Sequence, residues 1–278
     1  MARITVPEAD AVIDEAFPVL DQGFVRLVDY MGGDARVVQA ARVSYGTGTK
    51  TVREDKGLIG YLMRNAHTSP FEQVSLVFHI KLPLFVFAQM VRHRTAKLNS
   101  MSARYSVMQD EFYLPTADQI RGQSLTNKQV SEGGVGGEAA GQAAGVMQEQ
   151  ARVAYALYEE MLANGVGREQ ARMVLPQNLY TQIYWKCDLH NLFHFLRLRL
   201  DWHAQQEIRA YGEVMAMLTK LVAPFCYEAF EEHILNAQRF GGSEVEALKR
   251  LLAGEPHGLE GRAGSEFEAK LGLTPAAH

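Results

Sequence analysis

The sequence predicts a mixed α+β fold, a small mixed or antiparallel sheet packed with several helices. Three observations point there. Val74, Leu76, Phe78, Ile80 and Leu82 alternate with polar or small residues, the period of a half-buried strand. Several other segments carry apolar residues at helical spacing. Strands and helices do not follow one another in regular βαβ order, and no G-x-G-x-x-G follows a strand, so a doubly wound nucleotide fold is not supported.

Along the chain, residues 1–20 read as a loosely attached leader, followed by a strand over Phe24–Tyr30 and a turn at Gly32-Gly33. Asp34 is placed to cap a short helix bearing Val37, Val38, Ala41 and Val43. Gly46-Thr-Gly48-Thr reads as a loop, and Leu58, Ile59, Leu62 and Met63 form the stripe of the next helix. That helix breaks at His67-Thr-Ser69-Pro70, because proline disfavours the helical state of the residue before it. After the alternating strand, Pro83 suits the first turn of a helix carrying Leu84, Phe87, Ala88 and Val91.

Residues 117–145, rich in Gly, Ala, Gln and Ser, read as a mobile surface insertion. A helix follows through Val153, Leu157 and Met161, stopping near Gly165, and a short one over Gly167–Pro176. Leu179–Trp185 is a candidate strand. Asp188–Leu200 is helical, with Leu189, Leu192, Phe193, Leu196 and Leu200 as its stripe; Gln205–Val222 is another helix, and Pro224 opens one through Leu235. Residues 240–278 read as a tail without chemistry, so the expectation is one domain over residues 1–278.

Composition, with 47% hydrophobic and 22% charged residues, is that of an ordinary globular protein. A formal charge of −4 argues against a general nucleic-acid coat. No signal-type core and no bilayer-length apolar run occur, so a cytoplasmic protein is expected. Cys187 and Cys226 belong to no C-x-x-C pair and read as reduced, buried thiols.

The chemistry concentrates in Arg92-His93-Arg94-Thr-Ala-Lys97-Leu-Asn99-Ser100-Met101-Ser102-Ala103-Arg104-Tyr105, through which no hydrophobic period runs. Guanidinium forks grip phosphate bidentately and face a pyrimidine edge or a flavin ring with parallel donors. Arg172 and Arg199 sit in helices dense with apolar residues, where an arginine needs a partner. His190 and His194, four residues apart on one helix, have metal-ligand spacing, yet no H-E-x-x-H register or acidic cluster accompanies them, so no metal is assigned. No serine elbow or low-pKa cysteine motif offers a nucleophile.

The motif resembles the signature of the flavin-dependent thymidylate synthases, R-H-R-x-x-S-x-N-x-x-S-x-R-Y, matched at Arg92, His93, Arg94, Asn99, Ser102, Arg104 and Tyr105. Lys97 stands where that pattern has serine; a solvent-facing lysine is favoured over an added phosphate contact. The resemblance covers roughly residues 22–235. It implies dUMP binding by Gln89, Arg92, Arg172 and the run Ser100, Met101, Ser102, Ala103 and Arg104, with Arg199 facing the uracil as the catalytic group. It implies FAD near Ser69, Glu72, Arg92, His93, Arg94, Asp188, His190, His194 and His203, with His67 on the folate side. It further implies NADPH and 5,10-methylenetetrahydrofolate as co-substrates, no nucleophile on dUMP, and a homotetramer with sites where subunits meet. Two other classes stay open on the residues alone: a nucleotide- or RNA-binding protein using Arg92–Arg104, and a metal hydrolase using His190 and His194.

Overall fold

The alternating segment at Val74–Leu82 becomes the centre of a five-stranded, wholly antiparallel sheet in the computed structural model, which describes residues 3–43, 52–124 and 131–273. In order, the elements are α1 (Pro7–Asp10), β1 (Ala16–Val19), β2 (Gly23–Met31), α2 (Asp34–Arg42), α3 (Val52–Arg64), β3 (Ser75–Pro83), α4 (Leu84–Met90) and β4 (Lys97–Ser100). There follow β5 (Arg121–Gln123), β6 (Ser131–Gly134), α5 (Gly137–Ala163), α6 (Arg168–Ala171), β7 (Tyr180–Asp188), α7 (Leu189–Arg199), α8 (Gln206–Val222), α9 (Pro224–Phe230), α10 (Gly242–Leu252) and α11 (Gly261–Lys270).

The sheet runs β1-β2-β3-β7-β4, with Phe78 opposite Trp185 and Ser75 opposite Asp188. The alternation works as expected: Leu76, Phe78, Ile80 and Leu82 are fully buried, together with Val25, Leu27, Ile183 and Trp185 from neighbouring strands. Helices α7 and α8 contribute Leu189, Leu192, Phe195, Leu196, Tyr211, Met215 and Leu218 to the core. A second cluster of Met108, Phe112, Ala151, Tyr158, Ala171 and Leu179 seats α5 and α6.

The structure corrects several expectations. The leader is tied down: β1 pairs with β2, Arg3 Nη2 donates to Asp29 Oδ1 at 2.9 Å, and the Tyr30 hydroxyl accepts from Val6 N at 2.7 Å. Within the proposed insertion, α5 begins at Gly137 rather than near Val153. Ala139, Ala140, Ala143 and Ala144 outweigh the glycines among them, since alanine is the best helix former, and Ala140 is buried. The Gly46-Thr-Gly48-Thr loop lies outside the described residues.

Asp34 does not cap its own helix. Its carboxylate accepts the N–H groups of Phe225 and Cys226, both at 2.9 Å, and so caps α9, nearly two hundred residues away. Burial pushes this carboxyl up while the two donated hydrogen bonds oppose the shift. Gly32, with φ 88°, supplies the left-handed turn that leads into α2.

The chain divides into two compact units, Met1–Glu231 and Glu232–His278. The second unit is built by α10 and α11. Ala247 and Phe267 are buried there, Phe240 packs edge-on to Phe267 at 6.1 Å, and Lys270 Nζ donates to Glu244 Oε1 at 2.6 Å.

Candidate functional site

Helix α4 stops at Met90, and His93 N donates to Met90 O at 3.0 Å, so the Arg92-His93-Arg94 run leaves on a turn. Helix α7 meets that turn with Phe195 and Arg199, four residues apart and therefore on one face. The His93 ring lies edge-on to Phe195 at 4.8 Å, and Arg199 Nε donates to His93 Nε2 at 3.1 Å. Arg199 Nη2 donates to Gln89 O at 3.3 Å, and the Gln89 side chain donates to Gln205 Oε1 at 2.6 Å.

Arginine has no acceptor, so His93 Nε2 must present its lone pair and the ring is neutral. The electrostatics agree: burial, then the Arg199 and His194 charges, push His93 down to about 4. Burial also lowers Arg199 from its ordinary value. Its Nη1 makes no hydrogen bond among the described residues.

After this turn the structure differs from an irregular loop, because Lys97–Ser100 form the edge strand β4 on β7. No alternation announced it, since all four of its residues are exposed. Lys97 is among them. Met101 N donates to Gln182 O at 2.9 Å, and Met101 and Ala103 pack against the Tyr158 cluster. Their side chains thus anchor the run and leave Ser100 and Arg104 exposed.

Arg104 Nε lies 3.3 Å from Glu169 Oε2, and Arg172 Nε donates to Glu169 O at 3.3 Å. Arg168 Nη1 donates to Tyr105 O, also at 3.3 Å. Only Arg104 pairs with the carboxylate, while Arg172 and Arg168 are held by backbone carbonyls, so three guanidiniums share one short stretch with a single paired carboxylate, a local excess of positive charge suited to an anion. Glu169, Arg168 and Gln205 were not singled out in the sequence. The i, i+4 spacing of Arg168 and Arg172 was the available signal for the first two.

A third group lies at the far end of β3 and β7. Leu189 N donates to Val74 O at 2.8 Å, which joins the loop bearing His67, Ser69 and Glu72 to the start of α7. Glu72 Oε1 accepts from Thr68 Oγ1 at 3.3 Å, Ser69 is exposed, and His67 tilts against Tyr61 at 5.8 Å. Both Asp188 oxygens are used in capping α7, accepting from Asn191 N at 2.9 Å and Asn191 Nδ2 at 2.8 Å. His190 is half-buried, while His194 is exposed with its ring 6.2 Å from that of His93. Burial first, then Arg197 and His190, lowers His194.

His203 pairs with Asp201, whose Oδ1 lies 2.7 Å from Nδ1. Arg92 and Arg94 are exposed and make no ion pair among the described residues. Cys187 and Cys226 are buried, and burial raises both thiols, so neither presents a thiolate. No group of three or more His, Cys, Asp or Glu side chains that could hold a metal occurs among the described residues.

Residues 26–225 match the family described as thymidylate synthase complementing protein, and residues 239–273 match the thymidylate synthase ThyX C-terminal domain. The flavin-dependent thymidylate synthase of Treponema denticola is 52% identical over 261 residues, 93% of this chain and 98% of that protein. That of Treponema pallidum is 50% identical over 273 residues, 98% of this chain and 89% of its own. Among solved structures, the UMP/dUMP methylase PolB from Streptomyces cacaoi bound with 5-Br dUMP is 32% identical, with a TM-score of 0.72 over 79% of this chain and 99% of that one. The two matched segments take in the arginine turn, α7 and the helical pair after Glu232, and the relatives run nearly end to end with this sequence: the chain belongs to the flavin-dependent thymidylate synthase family.

Proposed function

We propose that the chain catalyses reductive methylation of dUMP to dTMP, with 5,10-methylenetetrahydrofolate as carbon donor and FAD reduced by NADPH. The observation that carries this reading is Arg199, half-buried, fixed through Nε and Nη2, with Nη1 unbonded among the described residues. A fixed cation beside a pyrimidine favours the N3-deprotonated ring and polarises it toward hydride attack. Arg104 and Arg172 suit the phosphate, and an arriving dianion competes with Glu169 for Arg104. Ser100 and Ser102 add hydroxyl donors beside them.

The residues fit a flavin dinucleotide. Arg92 and Arg94 carry exposed guanidiniums for a diphosphate, and His190 and His194 offer ring nitrogens on α7 for the adenosine part. Ser69 and Glu72 supply exposed hydroxyl and carboxylate at the other end. Bound flavin supplies the hydride that completes the methyl group. His67 remains the candidate on the folate side, and His203 a candidate wall of the flavin pocket. The site residues are largely exposed on one chain, so a homotetramer that closes the site between copies belongs to the same reading.

The test is the visible spectrum of FAD-loaded protein with and without dUMP, followed by an assay for dTMP. An oxidised-flavin spectrum that shifts on adding dUMP, with turnover dependent on folate and NADPH, is the expected result. Arg199→Ala should abolish turnover while flavin is retained; dTMP formation by that variant would remove the assignment of Arg199. Folded protein that retains no flavin would remove the proposal as a whole.

A further inference from the structure

We infer that His93 is a positioning residue for Arg199: its neutral Nε2 accepts the Arg199 Nε–H and sets the plane of the guanidinium that meets the pyrimidine. This deepens the reading above, resting on Arg199 as the group that faces dUMP, and differs from a role for His93 as a flavin contact.

Among the described residues the ring makes one polar contact. Arg199 Nε reaches His93 Nε2 at 3.1 Å, and Nη2 reaches Gln89 O at 3.3 Å. Two acceptors on one planar fork fix its rotation, because the guanidinium donors lie in a rigid plane. Both acceptors come from the turn that ends α4, so the motif histidine and the motif-adjacent glutamine carbonyl act as one cradle. Phe195 holds the ring edge-on at 4.8 Å, and Trp185 backs Phe195 at 5.5 Å, so the cradle rests on the core. Gln205 fastens the Gln89 side chain at 2.6 Å and ties the same turn to the start of α8.

Only a neutral ring can do this. A protonated imidazole would set two donors against each other and place two cations in contact. The cationic and titratable groups facing the ring are Arg199 and His194, both on α7, and the charge of each opposes protonation. The downward shift of His93 is thus consistent with the geometry, which stands without it.

The test is a double-mutant cycle on dUMP affinity, read from the flavin spectral change of FAD-loaded protein, with kcat and KM alongside. His93→Phe keeps an aromatic ring against Phe195 and removes the acceptor. It should weaken dUMP binding about tenfold or more, the scale of one lost charge-assisted hydrogen bond. In an Arg199→Ala background the same change should matter less than about twofold. His93→Gln, whose Oε1 can accept, should recover most of the loss. His93→Leu serves the cycle if the phenylalanine variant does not fold.

Equal losses from His93→Phe in both backgrounds would overturn the inference. So would a glutamine variant as impaired as the phenylalanine one, or loss of bound flavin from a folded phenylalanine variant. Failure of the underlying functional reading shows separately, in unmutated protein that gives no dUMP-dependent flavin change.

Discussion

Gly23 opens β2 at a place where no side chain fits. A methyl group on its Cα would lie 2.1 Å from Tyr211 Oη, 2.7 Å from Val19 O and 2.8 Å from Lys81 O. Two of these are backbone atoms of paired strands, and the third is fixed, since Tyr211 is fully buried and its hydroxyl donates to Lys81 O at 2.7 Å. Gly23→Ala must therefore displace the tyrosine, the strands, or both. Overpacking of this kind costs about 1–3 kcal/mol. A buried hydroxyl or carbonyl left without its partner adds about 1–3 kcal/mol. A combined loss of about 4 kcal/mol lowers Tm by roughly 8–16 °C in a unit of this size. Thermal unfolding followed by circular dichroism reads the change. Tyr211→Phe removes the nearest obstruction, so Gly23→Ala combined with it should cost less than the two single changes summed, by about 1 kcal/mol. A Gly23→Ala protein melting within about 2 °C of the unmutated chain, or strict additivity, would refute the reasoning.

Two further outcomes follow from the same structure. Asp34→Ala strips two N–H acceptors from the start of α9 and should cost about 2 kcal/mol, roughly 4–8 °C in Tm, with Asp34→Asn recovering part of it; unchanged melting would show that α9 needs no cap. His93, held down to about 4 in the folded chain against 6.5 in the ordinary case, makes the unfolded state the better proton acceptor between those values. Stability should therefore fall as pH drops from about 6.5 to about 4, and His93→Gln should show a shallower slope there; parallel slopes for the two proteins would contradict the neutral ring.

Much of the fold was legible because its signals are local. Val74–Leu82 alternates, Pro83 starts a helix, and the Leu189–Leu200 stripe has helical period, and each element forms within a residue or two of expectation. What escaped the sequence depends on distant partners. β4 has no apolar face of its own and exists because β7 pairs with it. Asp34 has the composition of a cap, but only the fold says that the helix it caps begins at Pro224. Glycines 137, 141 and 145 argue locally for a loop, while alanine content and packing around Tyr158 carry α5 through them. In the site, the arginines were legible as a set because their density has no structural excuse. The partners that arrange them were not, since Glu169, Gln205 and the Arg199–His93 contact are products of tertiary proximity.

The sheet order has a consequence for how this chain behaves when crowded. Among the described residues β1 and β4 each keep one unpaired side, the geometry through which sheets polymerise end to end. β1 places Pro18 in its four residues, which has no N–H to offer an incoming strand. β4 is equally short, and Lys97 would have to be stripped of water for another strand to dock. The lysine that departs from the motif thus sits where a charge discourages amyloid-like growth, and the segment between Arg94 and Arg104 also closes off the sheet.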